Sequence, residues 1–177
     1  MNKTDLILKH YQASNYIVLS EMYLKEYKKH TDLTIEDLKE YNPGHLGTST
    51  GVNFILSNLN YFLNENNLTS KTVIGTGHSA VAILAQNWLN GELFNHDSNY
   101  TKDINGLNKL IEDFGKKIRS EINPKYPNNI YDGGELGYSL AVSYGYAINS
   151  EEDFIPCIIG DGEAETGTLS ASWYLNK

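Results

Sequence analysis

The chain has 177 residues, 22 acidic against 14 basic side chains, a formal net charge of −8 and 40% apolar residues. That balance suits a globular domain able to bury a core without staples, and it excludes the basic stripe of a nucleic-acid binder. One cysteine, Cys157, excludes an internal disulfide and, inside an apolar run, reads as a buried inert thiol. The amino terminus has no apolar h-region, and no window approaches the roughly 18 apolar residues of a membrane span. A cytoplasmic chain with no membrane contact is therefore expected. No repeat, low-complexity tract or linker is visible, so residues 1–177 read as a single domain.

Residues 14–29 are expected to form a helix, because Ile17, Met22 or Leu24, and Tyr27 fall roughly at helical spacing. Lys25, Lys28 and Lys29, interrupted by Glu26, read as its solvated face. In "TIEDLKEYNPG", Thr34 followed by Asp37 has the form of a capping box, and Pro43-Gly44 stops the segment. "GHLGTSTG" reads as a glycine-spaced loop. Val52, Ile55, Leu56, Leu59, Phe62 and Leu63 then mark an amphipathic helix over 52–63.

"KTVIGTGH" reads as a short buried strand closing in a Gly-x-Gly turn, and "SAVAILAQNWL" as a helix. The stretch 95–130 is polar, with one helix near 103–118. "IYDGGELGYSLAVSYGYAI" is a glycine turn feeding another helix. "FIPCIIG" is a second strand, and GDGEAETG leaves its carboxyl end. The repeated strand–turn–helix order predicts an α/β fold, a parallel sheet with flanking helices. Ligands of such sheets bind at the carboxyl ends of the strands, where Gly75–Gly77 and Gly160–Gly162 would both lie.

Gly160 and Gly162 allow a close backbone approach, and Asp161 between them offers an oxygen to a hard cation. The turn's N–H groups could face a phosphate. A tight turn with surface acids explains the same residues. An EF-hand fails by count, since a loop starting at Asp161 puts Thr166 at the required glycine and Ser172 at the required glutamate. Gly75-x-Gly77-x-x-Ala80 fits a dinucleotide fingerprint, but that reading needs an acid-ended strand near 97–105, and "LNGELFNHDSNY" does not read as one. His78 and His45 stand beside glycines and are candidates to face a ligand, whereas His10, His30 and His96 read as surface. In "YDGGELG", Gly133-Gly134 permits close approach, and Glu135 falls in the first turn of the expected helix, where the dipole favours an acid. A plain amino-terminal cap is the alternative there.

Together "NYIVLSEMYL", "GHLGTSTGVNFI", "GTGH", "GGELGYSL" and "GDGEAETG" occur in the order and near the spacing of the bacterial phosphoketolases. The chain resembles the amino-terminal part of that family's first domain along almost its whole length. Members are thiamine-diphosphate enzymes, aldehyde-lyases that cleave xylulose or fructose phosphate with inorganic phosphate and release acetyl phosphate. The resemblance implies a partial diphosphate-type domain. It places Mg²⁺ on Asp161 and the diphosphate along Gly162 and Glu163 and beside Gly134, Glu135 and Leu136. It also makes His45 and His78 catalytic residues facing cofactor and sugar phosphate.

Three departures stand out. The family's Gly-Pro-Gly-His is Gly75-Thr76-Gly77-His78, its Ile-His-Glu-Gly-Gly is Ile130-Tyr131-Asp132-Gly-Gly, and a count back from Gly133 puts Glu121 where it has an active-site histidine. A glutamate there would repel a phosphate. The asparagine that completes the family's Mg²⁺ site, and its second domain, lie downstream of the position of Lys177. The expectation is therefore an incomplete domain whose parent chemistry is phosphorolytic C–C cleavage, with no turnover alone. It would work as a homo-oligomer or with a complementing chain. An interaction module that completes a site with another chain is the alternative, and a nicotinamide-binding domain the lesser one.

Overall fold

Asn2 opens the first helix, its side-chain carbonyl accepting the Asp5 N–H at 2.9 Å. In the computed structural model, which describes residues 2–29 and 32–176, α1 runs Lys3–Tyr23. His30, expected at the surface, lies outside the described residues. The helix thus starts and stops earlier than the spacing of apolar residues suggests. Leu24 turns extended and bridges Leu38 antiparallel. The Lys25 N–H donates to the Asp37 carbonyl at 3.0 Å, and the Lys39 N–H to the Tyr23 carbonyl at 2.8 Å. Tyr27 is therefore not helical, and its ring meets Tyr16 edge-on, 5.5 Å between centroids. The lysine cluster is no helix face either. Lys28 bridges Glu26 at 2.9 Å and Asp37 at 3.0 Å. The capping box forms, with the Thr34 N–H on Asp37 Oδ2 at 2.9 Å, but it closes a single turn, Ile35–Asp37.

The chain divides into two compact units, Met1–Asn58 with Ser79–Ser120, and Leu59–His78 with Glu121–Lys177. In the first, α2 begins at Leu46 and contributes as far as Asn58 of its Leu46–Asn66 span. The hydroxyl-rich stretch expected as a loop is its first turns. The buried face of α2 is Ser49, Val52, Asn53, Leu56 and Ser57, while Ile55 is exposed. Helix α1 and helix α3, Ala80–Asn90, supply the reason. The Asn53 amide donates to Ser14 Oγ and Asn15 Oδ1, each at 2.8 Å. The Gln86 amide donates to Asn53 Oδ1 at 2.5 Å and Ser57 Oγ at 2.9 Å. Buried polar groups are tolerated when partners are supplied, and a reading by hydropathy assigns such a face to solvent.

Gly91, left-handed at φ 83°, ends α3 and starts α4, Glu92–His96. Helix α5, Ile104–Asp113, is capped by Asp103, whose Oδ1 accepts the Asn105 and Gly106 N–H groups. Helix α1 packs on α3 and α5 around Val18, Met22, Leu84, Leu110 and Ile111. Residues 97–103 are turns and bends, so the strand required by the nicotinamide reading is not there. Glu21 is fully buried in this unit with neither carboxyl oxygen hydrogen-bonded. Burial holds its acid well above the usual carboxylate range, and the nearby Lys39 only partly offsets this. The Lys39 ammonium donates to the Glu21 and Ile111 backbone carbonyls, each at 2.6 Å, and burial lowers it to about 8.

The second unit holds the sheet. β1, Val73–Ile74, pairs in parallel with β2, Cys157–Ile158, in the register Val73↔Cys157 and Ile74↔Ile158. Thr72 bridges Asn129 in parallel, so a third extended segment runs beside β1. Helix α6, Ser139–Ile148, packs on both strands and on α8, Gly167–Ser172. Between β2 and α8 lies the single turn α7, Asp161–Ala164. The expected α/β fold with a small parallel sheet and flanking helices is what forms. Among the described residues no helix is long and apolar enough to cross a membrane.

Candidate functional site

The second unit laces its glycine-rich stretches together at the carboxyl ends of β1 and β2. The Gly75 N–H donates to the Ile158 carbonyl at 2.8 Å, extending the strand pairing to the first residue of the turn. The Gly77 carbonyl accepts the Ile122 N–H at 2.8 Å, and the Ile122 carbonyl accepts the Gly133 N–H at 2.9 Å. Ile122 thereby joins the two turns through its backbone, its side chain fully buried. The approach is tight enough to require glycine. A Cβ on Gly77 would stand 2.1 Å from the Gly133 carbonyl oxygen and 2.6 Å from Glu121 Oε2. The Glu121 carboxyl therefore lies against the turn that carries His78.

Gly160 is extended and opens α7, with Asp161 exposed at the first position. The Asp161 Oδ1 accepts its neighbour Gly162's N–H at 2.9 Å. Glu163 differs from the other acids of this motif. It is 1% exposed, and its Oε1 accepts the Gly137 N–H at 3.0 Å and the Ser139 N–H at 3.1 Å. Glu163, which the resemblance places along a diphosphate, thus has its side chain turned inward and held by backbone amides.

In the second glycine turn Gly134 and Glu135 are exposed and Leu136 is 53% exposed. The Gly134 N–H donates to Asp132 Oδ1 at 3.3 Å, and the Tyr131 hydroxyl to the Glu135 carbonyl. Burial, with the Glu163 carboxyl next in weight, pushes the Tyr131 phenol up to about 12. Because α6 starts only at Ser139, Glu135 lies ahead of the helix rather than in its first turn. His78 is half-buried in the turn Gly77–Ser79. His45 belongs to the first unit, exposed just ahead of α2, its carbonyl accepting the Ser49 N–H at 3.1 Å. Of the histidines expected at the surface, His96 is exposed, whereas His10 is half-buried, and burial lowers its pKa. Cys157 is a half-buried free thiol whose pKa burial raises, as suits an inert side chain.

Among the described residues no three His, Cys, Asp or Glu side chains group to hold a metal ion by themselves. Magnesium does not need such a group, since one or two carboxylates with phosphate oxygens and waters suffice. Asp161 is exposed and suits that part. The backbone around it is open as well. A Cβ on Gly162 would meet nothing within 4 Å, and one on Gly134 only Asp132 Oδ1 at 3.5 Å. These residues fit a Mg²⁺-diphosphate group.

Sequence reasoning passed over Ile122, Gly137, Ser139 and Thr166. Only Gly137 carried a signal, as the second glycine of GELG, without a partner to assign it.

The family model of the XFP N-terminal domain matches residues 2–177. The chain is 39% identical over 171 residues to a probable phosphoketolase of Streptomyces avermitilis, covering 95% of this chain and 22% of that protein. The figures are 38% identity and the same coverage for a probable phosphoketolase of Pseudomonas putida. For one of Bifidobacterium animalis subsp. lactis they are 37% over 172 residues, 96% of this chain and 21% of the relative. The chain thus spans about a fifth of the length of these relatives.

Proposed function

The chain belongs to the family of XFP N-terminal domains, and from that premise we propose that it carries the diphosphate-binding part of a phosphoketolase site. The parent reaction is cleavage of a ketose phosphate by inorganic phosphate to acetyl phosphate and an aldose phosphate. Thiamine diphosphate, when bound, supplies the electron sink for the broken C–C bond. Asp161 would give Mg²⁺ one oxygen ligand. Gly162 and the turn Gly134, Glu135 and Leu136 would face the diphosphate. Glu163 would approach it by its backbone alone. His45 and His78 would serve cofactor and sugar phosphate, since an imidazole N–H can donate to an anionic oxygen. Glu121, with its carboxyl beside the His78 turn, would work against an anionic ligand there.

The observation that carries this reading is the open backbone at Gly134 and Gly162, where neither positive φ nor neighbouring atoms call for glycine. Gly47, Gly51, Gly145 and Gly167 are open too, but none adjoins an exposed acid of the site. Calorimetry tests the reading. We expect weak, Mg²⁺-dependent binding of thiamine diphosphate that Asp161→Ala abolishes. Binding that survives that substitution removes Asp161 from the role.

A second reading, an interaction module, has its own support. The second unit exposes Leu136, Tyr138, Ile148, Trp173, Tyr174 and Leu175, each 47–79% accessible. Among the described residues β2 pairs with β1 alone. Such a surface suits a second copy or a complementing chain.

A further inference from the structure

We propose that Glu163 is a positioning residue that welds the Gly133–Gly137 turn to the Asp161 turn, an assignment that rests on the proposed diphosphate site. A carboxyl that is 1% exposed cannot meet a ligand arriving from solvent. Instead Oε1 accepts the Gly137 and Ser139 N–H groups, the last residue of one glycine turn and the first of α6. Oε2 has no hydrogen-bond partner and stands 1.7 Å from where a Cβ on Gly75 would be. One side chain from α7 thus reaches the GELG turn, the start of α6 and the end of β1.

Gly137 receives a second grip. Its φ is +99°, and a Cβ there would lie 2.2 Å from Thr168 Oγ1 and 2.6 Å from Thr166 Oγ1. The Thr166 hydroxyl in turn donates to the Glu163 carbonyl at 2.7 Å. The residues after Gly160-Asp161-Gly162 therefore act on the neighbouring turn. They set where Gly134, Glu135 and Leu136 are presented relative to Asp161. A ligand bridging a metal on Asp161 and the 134–136 backbone would feel any slack in that weld.

The test uses the full chain and three variants with two readouts. Glu163→Gln keeps an acceptor oxygen, Glu163→Asp withdraws it by one methylene, and Glu163→Ala removes it. The readouts are amide hydrogen exchange at Gly137 and Ser139 by NMR, and calorimetric affinity for thiamine diphosphate with Mg²⁺. Asp and Ala should speed exchange at those two amides by about tenfold, the order expected for a lost hydrogen bond, and Gln should restore protection. Affinity should fall about tenfold in Asp and Ala and recover in Gln, which general destabilisation would not produce. If Ala does not fold, Asp against Gln carries the comparison. Unchanged protection in Asp and Ala overturns the weld. Protection intact in Gln with affinity lost as in Asp161→Ala makes the carboxyl a ligand group and overturns positioning. If the parent chain binds no thiamine diphosphate, the proposed function fails at its cofactor, and the exchange data still decide the weld.

Discussion

Gly75→Ala is the substitution whose cost can be worked furthest. Its Cβ would stand 1.7 Å from Glu163 Oε2, 2.6 Å from Glu163 Cδ and 2.9 Å from Ser139 Oγ. The tip of a flexible side chain ordinarily steps aside at little cost. This one is buried and holds the Gly137 and Ser139 amides, so stepping aside orphans two donors. An orphaned buried donor costs about 1–3 kcal/mol. The φ of Gly75 is not positive, so alanine recovers about 0.4–1 kcal/mol by restricting the unfolded chain. The expected net loss is about 1–5 kcal/mol. Equilibrium urea denaturation of Gly75→Ala, Glu163→Ala and the double variant isolates the cause. Removing the Glu163 side chain makes room for the methyl, so the double variant should be more stable than the sum of the single losses predicts, by about 1 kcal/mol or more. Additivity within about 0.5 kcal/mol would refute the steric link between β1 and α7.

Glu21→Gln tests the buried acid of the first unit. The folded pKa of Glu21 is raised above its unfolded value near 4.5, so between the two the unfolded chain has lost a proton that the folded one retains. Stability therefore falls as pH rises through that window, by at most about 1.4 kcal/mol per pH unit. Melting temperatures below pH 8, the value to which Lys39 is lowered, should show the Gln variant matching the parent in acid and exceeding it at neutrality, and parallel curves would sink the idea. The exposed Ile148, Trp173, Tyr174 and Leu175 of the second unit should drive self-association, each 100 Å² of apolar surface being worth roughly 2.5 kcal/mol. Sedimentation showing a stable monomer that binds no hydrophobic dye would refute that.

The α/β fold was legible because glycines and apolar runs punctuate β1, β2 and α3, and in β1 and α3 local residue type and burial agree. Two regions were not. Helix α2 buries Asn53 and Ser57, whose partners Ser14 and Gln86 are distant in sequence, so no local pattern announces the face. Helix α1 stops at Tyr23 as Leu24 pairs with Leu38, fourteen positions on; the helical spacing of Tyr27 carries no word of that competing pair. At the candidate site the same limit applies to Glu163. Its neighbours in sequence are an exposed glycine and alanine, and only the fold brings Gly75, Gly137 and Ser139 to it.

The glycines of the site then divide by cause. Gly75, Gly77, Gly133 and Gly137 are demanded by the chain itself, since a methyl on any of them would lie within 2.6 Å of a protein atom. Their presence says how the turns interlock and nothing about a ligand. Gly134 and Gly162 are demanded by nothing inside the chain, and they adjoin the exposed Glu135 and Asp161. If a ligand's approach is what excludes side chains there, alanine at these two positions leaves folding stability nearly unchanged and weakens thiamine diphosphate binding. The interlocking glycines show the reverse order of effects, folding first. That division explains why the recognisable motif runs on past Gly160-Asp161-Gly162. On the proposed reading the first three residues would present the backbone and one carboxyl to a ligand, while the next four, through Glu163 and Thr166, hold the opposite turn in place.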